Sequence, residues 1–371
     1  MTAELILFTP GPVRIPPKVA HALMNPPCNY HRQSAFSSMF AETEHELKAL
    51  LGIRELGAYY ATVMTTTGTG ANEACLLALE GTGKGLILEN GFFGARAVDQ
   101  ARQNHLDVEV LSSDSNQPID VAAVAAKLDA DPSIRWVFFV SHETRAGLMN
   151  PLEALGRACK DRGRFVAVDV ISSAYAYPID LEASKVDLAT ASSAKAIQAA
   201  PGLGIVITRK AAVDEIKAAR AARGQKGGSQ PKGYYFDVFA EYEKQAKESQ
   251  PRFAQPVALH AALHAAATHL RETGIDRHYA RIQRQMKMLI DHLATMGIKP
   301  MLEQARSNIA VNFRLPSKLT YSDFAKLMEQ RGFFCLYGIP GDQSHFQLST
   351  IGDLTDDHVK GVMNALSDVL R

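Results

Sequence analysis

Phe165-Val166-Ala167-Val168-Asp169 and Ala191-Ser192-Ser193-Ala194-Lys195-Ala196-Ile197-Gln198, the latter leading into Pro201-Gly202-Leu203-Gly204, decide how this chain is read. The first is an unbroken apolar run closed by a carboxylate, as expected of a strand buried on both faces. The second sets a lysine among small residues just ahead of a glycine turn. Further short apolar runs stand at Leu86-Ile87-Leu88-Glu89, Val108-Glu109-Val110-Leu111, Trp136-Val137-Phe138-Phe139-Val140 and Gly204-Ile205-Val206-Ile207. Helical stretches at Val121 to Leu128 and Leu152 to Asp161 lie between some of them. From about Ala71 to Ile207 this alternation predicts an α/β domain with a largely parallel sheet. Ligands of such sheets sit beyond the carboxyl ends of the strands. His142-Glu143-Thr144, Asp169 and Lys195 each follow a strand, so they are expected to converge on one crevice.

Met64-Thr65-Thr66-Thr67-Gly68-Thr69-Gly70-Ala71-Asn72-Glu73-Ala74 is a hydroxyl- and glycine-rich turn entering an apolar helix. Backbone N–H groups at a helix start, with threonine hydroxyls beside them, make a phosphate cradle. It is not a Walker A loop, because no Gly-Lys-Ser/Thr follows, and it lacks the third glycine of a dinucleotide fingerprint. Gly81-Thr82-Gly83-Lys84-Gly85 reads instead as a helix-ending turn. Taken singly, each feature has an ordinary explanation: a solvated lysine, a strand-end cap, a helix N-cap. Together they suit pyridoxal phosphate (PLP) chemistry, which needs a Schiff-base lysine and an acidic partner for the pyridinium nitrogen.

The chain has 371 residues, enough for one large domain and a smaller one. Hydrophobic content of 46% with 21% charged residues is globular, and a net charge of +1 argues against a polyanionic partner such as nucleic acid. Cys28, Cys75, Cys159 and Cys335 are scattered without CxxC spacing, which reads as reduced thiols in a cytoplasmic protein. The opening residues lack a basic n-region, so no signal peptide is expected. No stretch approaches the roughly 18 apolar residues that span a membrane.

Asp214 to Arg223 carries Lys217, Arg220 and Arg223 on alanine and reads as a solvated helix face. Gly224 to Gly233 is a loop signal. Two long helical patterns follow, about Val257 to Thr273 and Ile275 to Met296. His260 and His264 stand four apart, a metal-ligand spacing, but no HExxH carboxylate accompanies them, and packed histidines are the reading taken. The last third reads as strand (Ile309 to Phe313), helix (Tyr321 to Gln330), short strands near Phe334 and Phe346, and a final helix from Thr355. Cys335 lies in an alternating strand pattern and is expected to be a buried thiol.

With Phe8-Thr9-Pro10-Gly11-Pro12-Val13, Asn90-Gly91-Phe92-Phe93-Gly94-Ala95-Arg96 and Ser141-His142-Glu143-Thr144-Arg145-Ala146-Gly147-Leu148-Met149-Asn150-Pro151 added to these motifs, the chain resembles the class V aminotransferases of the fold-type I PLP enzymes. The resemblance covers nearly its whole length. It implies a large PLP-binding domain with a mostly parallel sheet at residues 21–260, preceded by an N-terminal segment (1–20). A smaller C-terminal α/β domain is implied at 261–371. It implies that Lys195 carries PLP in an imine link and shuttles a proton, and that Asp169 keeps the pyridine nitrogen protonated. Phe93 matches the stacking aromatic, Thr67, Gly68 and Thr69 the phosphate cradle, and Thr144 a hydroxyl near the ring oxygen. Gly11, Arg32 and Gln347 fall on the substrate side. A homodimer with shared active sites is implied, acting on a small-molecule amino donor and a 2-oxo acid acceptor.

The middle of the chain is similar to the branch that transfers the amino group of 2-aminoethylphosphonate to pyruvate, which makes that amine the first expected donor. Asn29-Tyr30-His31-Arg32-Gln33-Ser34-Ala35-Phe36 resembles the alanine–glyoxylate branch instead. Where the family usually reads Phe-Arg-Ile-Gly, this chain reads Phe346-Gln347-Leu348-Ser349, so a neutral amide replaces the anion-clamping guanidinium. Ala194 and Ala254 replace polar residues on the phosphate side, with Gln255 and Gln198 as nearby substitutes, and Arg32 and Arg252 are the candidate replacement anion contacts. Three other readings stand beside the aminophosphonate transaminase: an alanine/serine–glyoxylate-type transaminase, a PLP lyase acting on an unusual amine, and a non-catalytic nucleotide-binding α/β protein in which Lys195 is incidental.

Overall fold

The apolar runs become strands whose successive side chains enter two different cores. The computed structural model describes residues 5–223, 233–336 and 341–370; the loop expected at Gly224 to Gly233 falls, except for Gly233, outside them. In chain order the strands are β1 (Ile6–Phe8), β2 (Tyr59–Thr65), β3 (Lys84–Glu89), β4 (Val108–Ser112), β5 (Ile134–Val140), β6 (His142–Glu143), β7 (Leu148–Met149), β8 (Phe165–Asp169), β9 (Leu188–Ser192), β10 (Leu203–Arg209), β11 (Ala310–Arg314), β12 (Phe333–Cys335) and β13 (His345–Ser349). The helices are α1 (Pro17–Met24), α2 (Ser34–Leu50), α3 (Gly68–Leu79), α4 (Phe92–Gln103), α5 (Val121–Ala130), α6 (Leu152–Lys160), α7 (Lys210–Ala222), α8 (Val238–Glu248), α9 (Val257–Thr273), α10 (Ile275–Ala294), α11 (Tyr321–Glu329) and α12 (Asp356–Leu370).

Among the described residues the central sheet has seven strands in the order β2-β10-β9-β8-β5-β3-β4. It is parallel except for β10, which runs antiparallel to both neighbours. Alternation across the pleat sends Leu86, Leu88, Val137, Phe139, Val166 and Val168 into one core, with α2, α5, α6 and α9. Ile87, Trp136, Phe138 and Ala167 enter the other, with α3, α4, α7 and α8. Helices on both faces make a three-layer α/β unit, as the sequence pattern predicts.

A third core joins Phe8 of β1 to Met286 and Leu289 of α10, Phe313 of β11, Phe346 of β13 and Leu366 of α12. β1 pairs in parallel with β12, so the chain's first strand packs against its last third. Between β1 and α1, Pro10 and Gly11 are carried across to the sheet's carboxyl edge.

Arg220 corrects the solvated-face reading of α7. It is fully buried, and its guanidinium donates to the carbonyls of Glu80 (2.8 Å) and Ala78 (2.5 Å). Those carbonyls end α3, where four helix C=O groups lack intrahelical partners. Burial holds Arg220 below its ordinary value, at about 10, yet the carbonyl bonds and the Phe239 ring 5.4 Å away accommodate it. Cys335 is buried on β12, and burial raises its thiol well above the usual range, as expected of an inert packed cysteine.

Candidate active site

The carboxyl ends of β2, β3, β5, β8 and β9 face one cavity of about 220 Å³, next to the N-terminal segment. Gly11, Thr67, Gly68, Thr69, Phe93, Thr144, Asp169 and Lys195 all line it. Arg32 and Gln347 do not. His142 lines it too, as its place after a strand predicts, whereas Glu143 of the same segment does not; Asn72, Arg96 and Ser172 also line it, without a sequence signal of their own.

Lys195 follows β9 in a turn fixed largely by Ser193. The Ser193 hydroxyl donates to the Ala200 carbonyl (2.7 Å) and accepts from the Leu203 N–H (3.2 Å). Gln198 closes the turn with φ of +63° and Gly202 with φ of +130°. The Lys195 ammonium donates to the Pro10 carbonyl at 2.8 Å. Burial pushes it down to about 8, against the opposing pull of Asp169, so a neutral, nucleophilic amine is readily reached near neutral pH. A Cβ on Gly11 would lie 2.6 Å from Lys195 Cδ and 2.8 Å from Nζ, and Gly11 has φ of +122°; the position requires glycine.

Asp169 ends β8 at the middle of the sheet and is buried. Its Oδ2 accepts from Asn72 Nδ2 at 2.6 Å and its Oδ1 from the Ile171 N–H at 2.8 Å. Asn72 is held in turn by the Thr190 hydroxyl of β9, which donates to its Oδ1 at 2.5 Å. Burial raises Asp169 above the usual carboxylate range, opposed by the Asn72 bond and the Ile171 N–H. A carboxylate in this state gains from a cation placed against it. Asn72 stands in the sequence between the threonine-rich turn and the apolar run Ala74 to Leu79.

The Thr67–Thr69 turn expected to cradle a phosphate lies at the α3 N-terminus. Thr67 is the N-cap residue, yet its side chain makes no capping bond. A Cβ on Gly68 would meet Ile171 Cδ1 at 2.8 Å, so the backbone approaches the cavity wall closely. Phe93 is set by Glu143, whose carboxylate accepts from the N–H groups of Phe93 (3.0 Å) and Gly94 (2.7 Å) at the start of α4. Burial raises Glu143 to about 7 in spite of these two donors. His142 is buried between the hydroxyls of Ser172 (2.9 Å) and Ser307 (2.8 Å), and burial lowers it to about 3, so it is a neutral imidazole.

These residues fit PLP: a buried lysine for the covalent link, a buried carboxylate for a protonated ring nitrogen, and open N–H groups at a helix start for a phosphate. The remaining sequence candidates have other attachments. Arg32 is exposed and donates to Gln250 Oε1 (3.2 Å) and to the carbonyls of Pro251 (2.9 Å) and Arg252 (3.3 Å). Arg252 packs on Phe253 and Tyr234. Gln347 is buried, and its amide donates to the Thr144 carbonyl (2.7 Å) and to Asn312 Oδ1 (3.0 Å). Gln198 donates to the Ile351 carbonyl (2.9 Å), while Gln255 Oε1 accepts from the Thr65 hydroxyl (2.7 Å) and lies 2.9 Å from His260 Nε2. His264 lies beside the Thr43 hydroxyl (3.2 Å) and Glu42 (3.6 Å).

The sequence profile of the family described as "Aminotransferase class-V" matches residues 9–338. The chain belongs to the class V aminotransferases. A 2-aminoethylphosphonate–pyruvate transaminase of Pseudomonas putida (strain W619) is 28% identical over 376 aligned residues, covering 100% of this chain and 98% of the relative. The structure is similar to an aspartate aminotransferase of subgroup IV from Thermus thermophilus (TM-score 0.84, 27% identity, 98% of each chain). An alanine–glyoxylate aminotransferase from Nostoc sp. shares the fold at TM-score 0.88 and 23% identity, over 100% of this chain and 96% of that one. This class V aminotransferase is therefore a PLP-dependent enzyme of fold type I, and the non-catalytic nucleotide-binding reading falls away. Among the described residues, no helix is long and apolar enough to cross a membrane.

Proposed function

We propose that this aminotransferase moves an amino group from a small primary amine or amino acid to a 2-oxo acid such as pyruvate, with 2-aminoethylphosphonate the first donor to test. We place it in the cytoplasm as a homodimer with shared active sites. The observation that carries the reading is the meeting of Lys195, Asp169 and the Thr67–Thr69 cradle in one cavity. The full-length likeness to transaminases of the aminophosphonate favours the donor.

PLP supplies an electron sink for the carbon that gives up its proton. In this reading Lys195 Nζ anchors the cofactor, then takes and returns that proton; its lowered value of about 8 suits both tasks. Asp169, aligned by Asn72, holds the proton on the ring nitrogen. Phe93 would cover the ring, and Thr144 would offer its hydroxyl to the ring oxygen. Thr67, Gly68 and Thr69 would hold the phosphate, with Gly11 leaving room beside Lys195 for the donor.

The purified enzyme should be offered a panel of amines and amino acids, each with pyruvate or glyoxylate, while the visible spectrum and products are followed. Formation of alanine from pyruvate with 2-aminoethylphosphonate supports the donor. Turnover confined to alanine or serine with glyoxylate replaces it with the alanine–glyoxylate reading, and elimination or decarboxylation without amino transfer favours the lyase. Arg32→Ala and Gln347→Arg probe the substrate side. Unchanged kcat/KM in both variants, for a carboxylate and a phosphonate donor, removes those two residues from it.

A further inference from the structure

A phosphate monoester brings about −1.5 to −2 charges into its site at neutral pH. The cradle at the start of α3 offers N–H groups and hydroxyls but no formal charge. The residues flanking it do not supply one either. Ala194 has no polar side chain, Gln198 is bonded to Ile351, and Gln255 is engaged with Thr65 and His260. Among the described residues lining the cavity, the cationic side chains are Lys195 and Arg96, since His142 is neutral. In the function proposed above, on which this inference rests, Lys195 carries the cofactor.

Arg96 lies three residues after Phe93 on α4, so the two side chains share a face. Its Nη1 is 3.4 Å from Thr69 Oγ1, within the cradle itself. The guanidinium is braced against Phe92 and Phe93, with ring centroids 4.9 and 5.0 Å away. Among the described residues it forms no ion pair with a carboxylate. Arg145 stands over Phe92 as well, at 4.1 Å, bringing a second positive charge close by. Burial, with Arg145 adding to it, holds Arg96 below its ordinary value. An anion at Thr69 would relieve both costs.

We propose that Arg96 binds the phosphate of PLP and supplies the positive charge that the Thr67–Thr69 cradle lacks. A guanidinium suits the task because its planar fork can meet two phosphate oxygens at once.

The test compares the holoenzyme with Arg96→Met, which keeps the aliphatic stem on Phe92, and with Arg96→Lys, which keeps the charge. PLP dissociation is followed by loss of the visible band, and the bound phosphate by its ³¹P resonance as pH is varied. Arg96→Met should weaken PLP about ten- to a hundredfold, the loss of a charged hydrogen bond. Its phosphate should also take up a proton at higher pH than in the wild type. Arg96→Lys should recover much of the affinity, and pyridoxal, which lacks the phosphate, should bind all three proteins alike. Equal PLP affinity in Arg96→Met, or equal losses for PLP and pyridoxal, overturns the proposal. So does an effect confined to KM for carboxylate or phosphonate donors, which assigns Arg96 to the substrate. Should Arg96→Met fail to fold, Arg96→Gln against Arg96→Lys gives the same outcomes.

Discussion

Asn72→Ala tests whether the carboxylate of Asp169 is tuned by its neighbours. Asn72 Nδ2 donates to Asp169 Oδ2 at 2.6 Å inside the protein, and a hydrogen bond to a charged group contributes about 1.5–3 kcal/mol. The Ile171 N–H remains on the other oxygen at 2.8 Å, so the loss is partial. If the ionised carboxylate is the working form, kcat/KM should fall about ten- to a hundredfold. The direction with pH follows from the same bond. Burial raises Asp169 and Asn72 pulls it back, so without Asn72 the carboxyl protonates at higher pH. The acid limb of kcat/KM should therefore move to higher pH. The Thr190 hydroxyl loses its 2.5 Å acceptor, which should cost about 1–3 kcal/mol of stability as well. The assay is kcat/KM across pH for both proteins, with thermal unfolding alongside. A normal rate with an unmoved acid limb would refute the reasoning, because Asp169 would then need no such support.

Glu143 is raised by burial to about 7, so the folded chain retains a proton there that the unfolded chain releases near 4.5. Its contribution to stability is present in full below that lower value and lost as pH rises through about 7. Glu143→Gln should flatten this part of the stability–pH curve, and an unchanged slope in denaturant titrations contradicts the assignment. Gly11→Ala places a Cβ 2.6 Å from Lys195 Cδ at φ of +122° and should displace the lysine. It should lower kcat and speed cofactor loss, read from the visible band; wild-type kinetics would mean that Lys195 tolerates the shift.

Much of the scaffold is legible because strands buried on both faces leave continuous apolar runs. Phe165–Asp169 and Val257–Thr273 fold with the bounds their sequences suggest. β9 is harder to see: Leu188-Ala189-Thr190-Ala191-Ser192 is short of large apolar side chains because α3 packs closely on it and Thr190 serves Asn72. β2 lies ahead of the alternating stretch that begins near Ala71, although its tyrosines and threonines favour a strand. The antiparallel direction of β10 depends on how the chain returns after the Lys195 turn, which periodicity does not encode. Lys195, Asp169 and the cradle stand out since each lies at or just beyond the end of a strand. Asn72 and Arg96 do not, since their roles arise from partners on other elements, and Glu143, though placed after a strand, takes its task from the Phe93 and Gly94 N–H groups of α4. Gln347 shows the converse case. Its sequence context marks a missing charge, and only the fold reveals an amide spent on the Thr144 carbonyl.

The account rests on Lys195 as the residue that carries PLP. Lys195→Ala should lose the visible absorption band and all turnover while its circular dichroism stays that of a folded protein. The direct measurement is borohydride reduction of the wild-type holoenzyme followed by peptide mapping. The account predicts a pyridoxyl group on Lys195, and a label on any other lysine would contradict it.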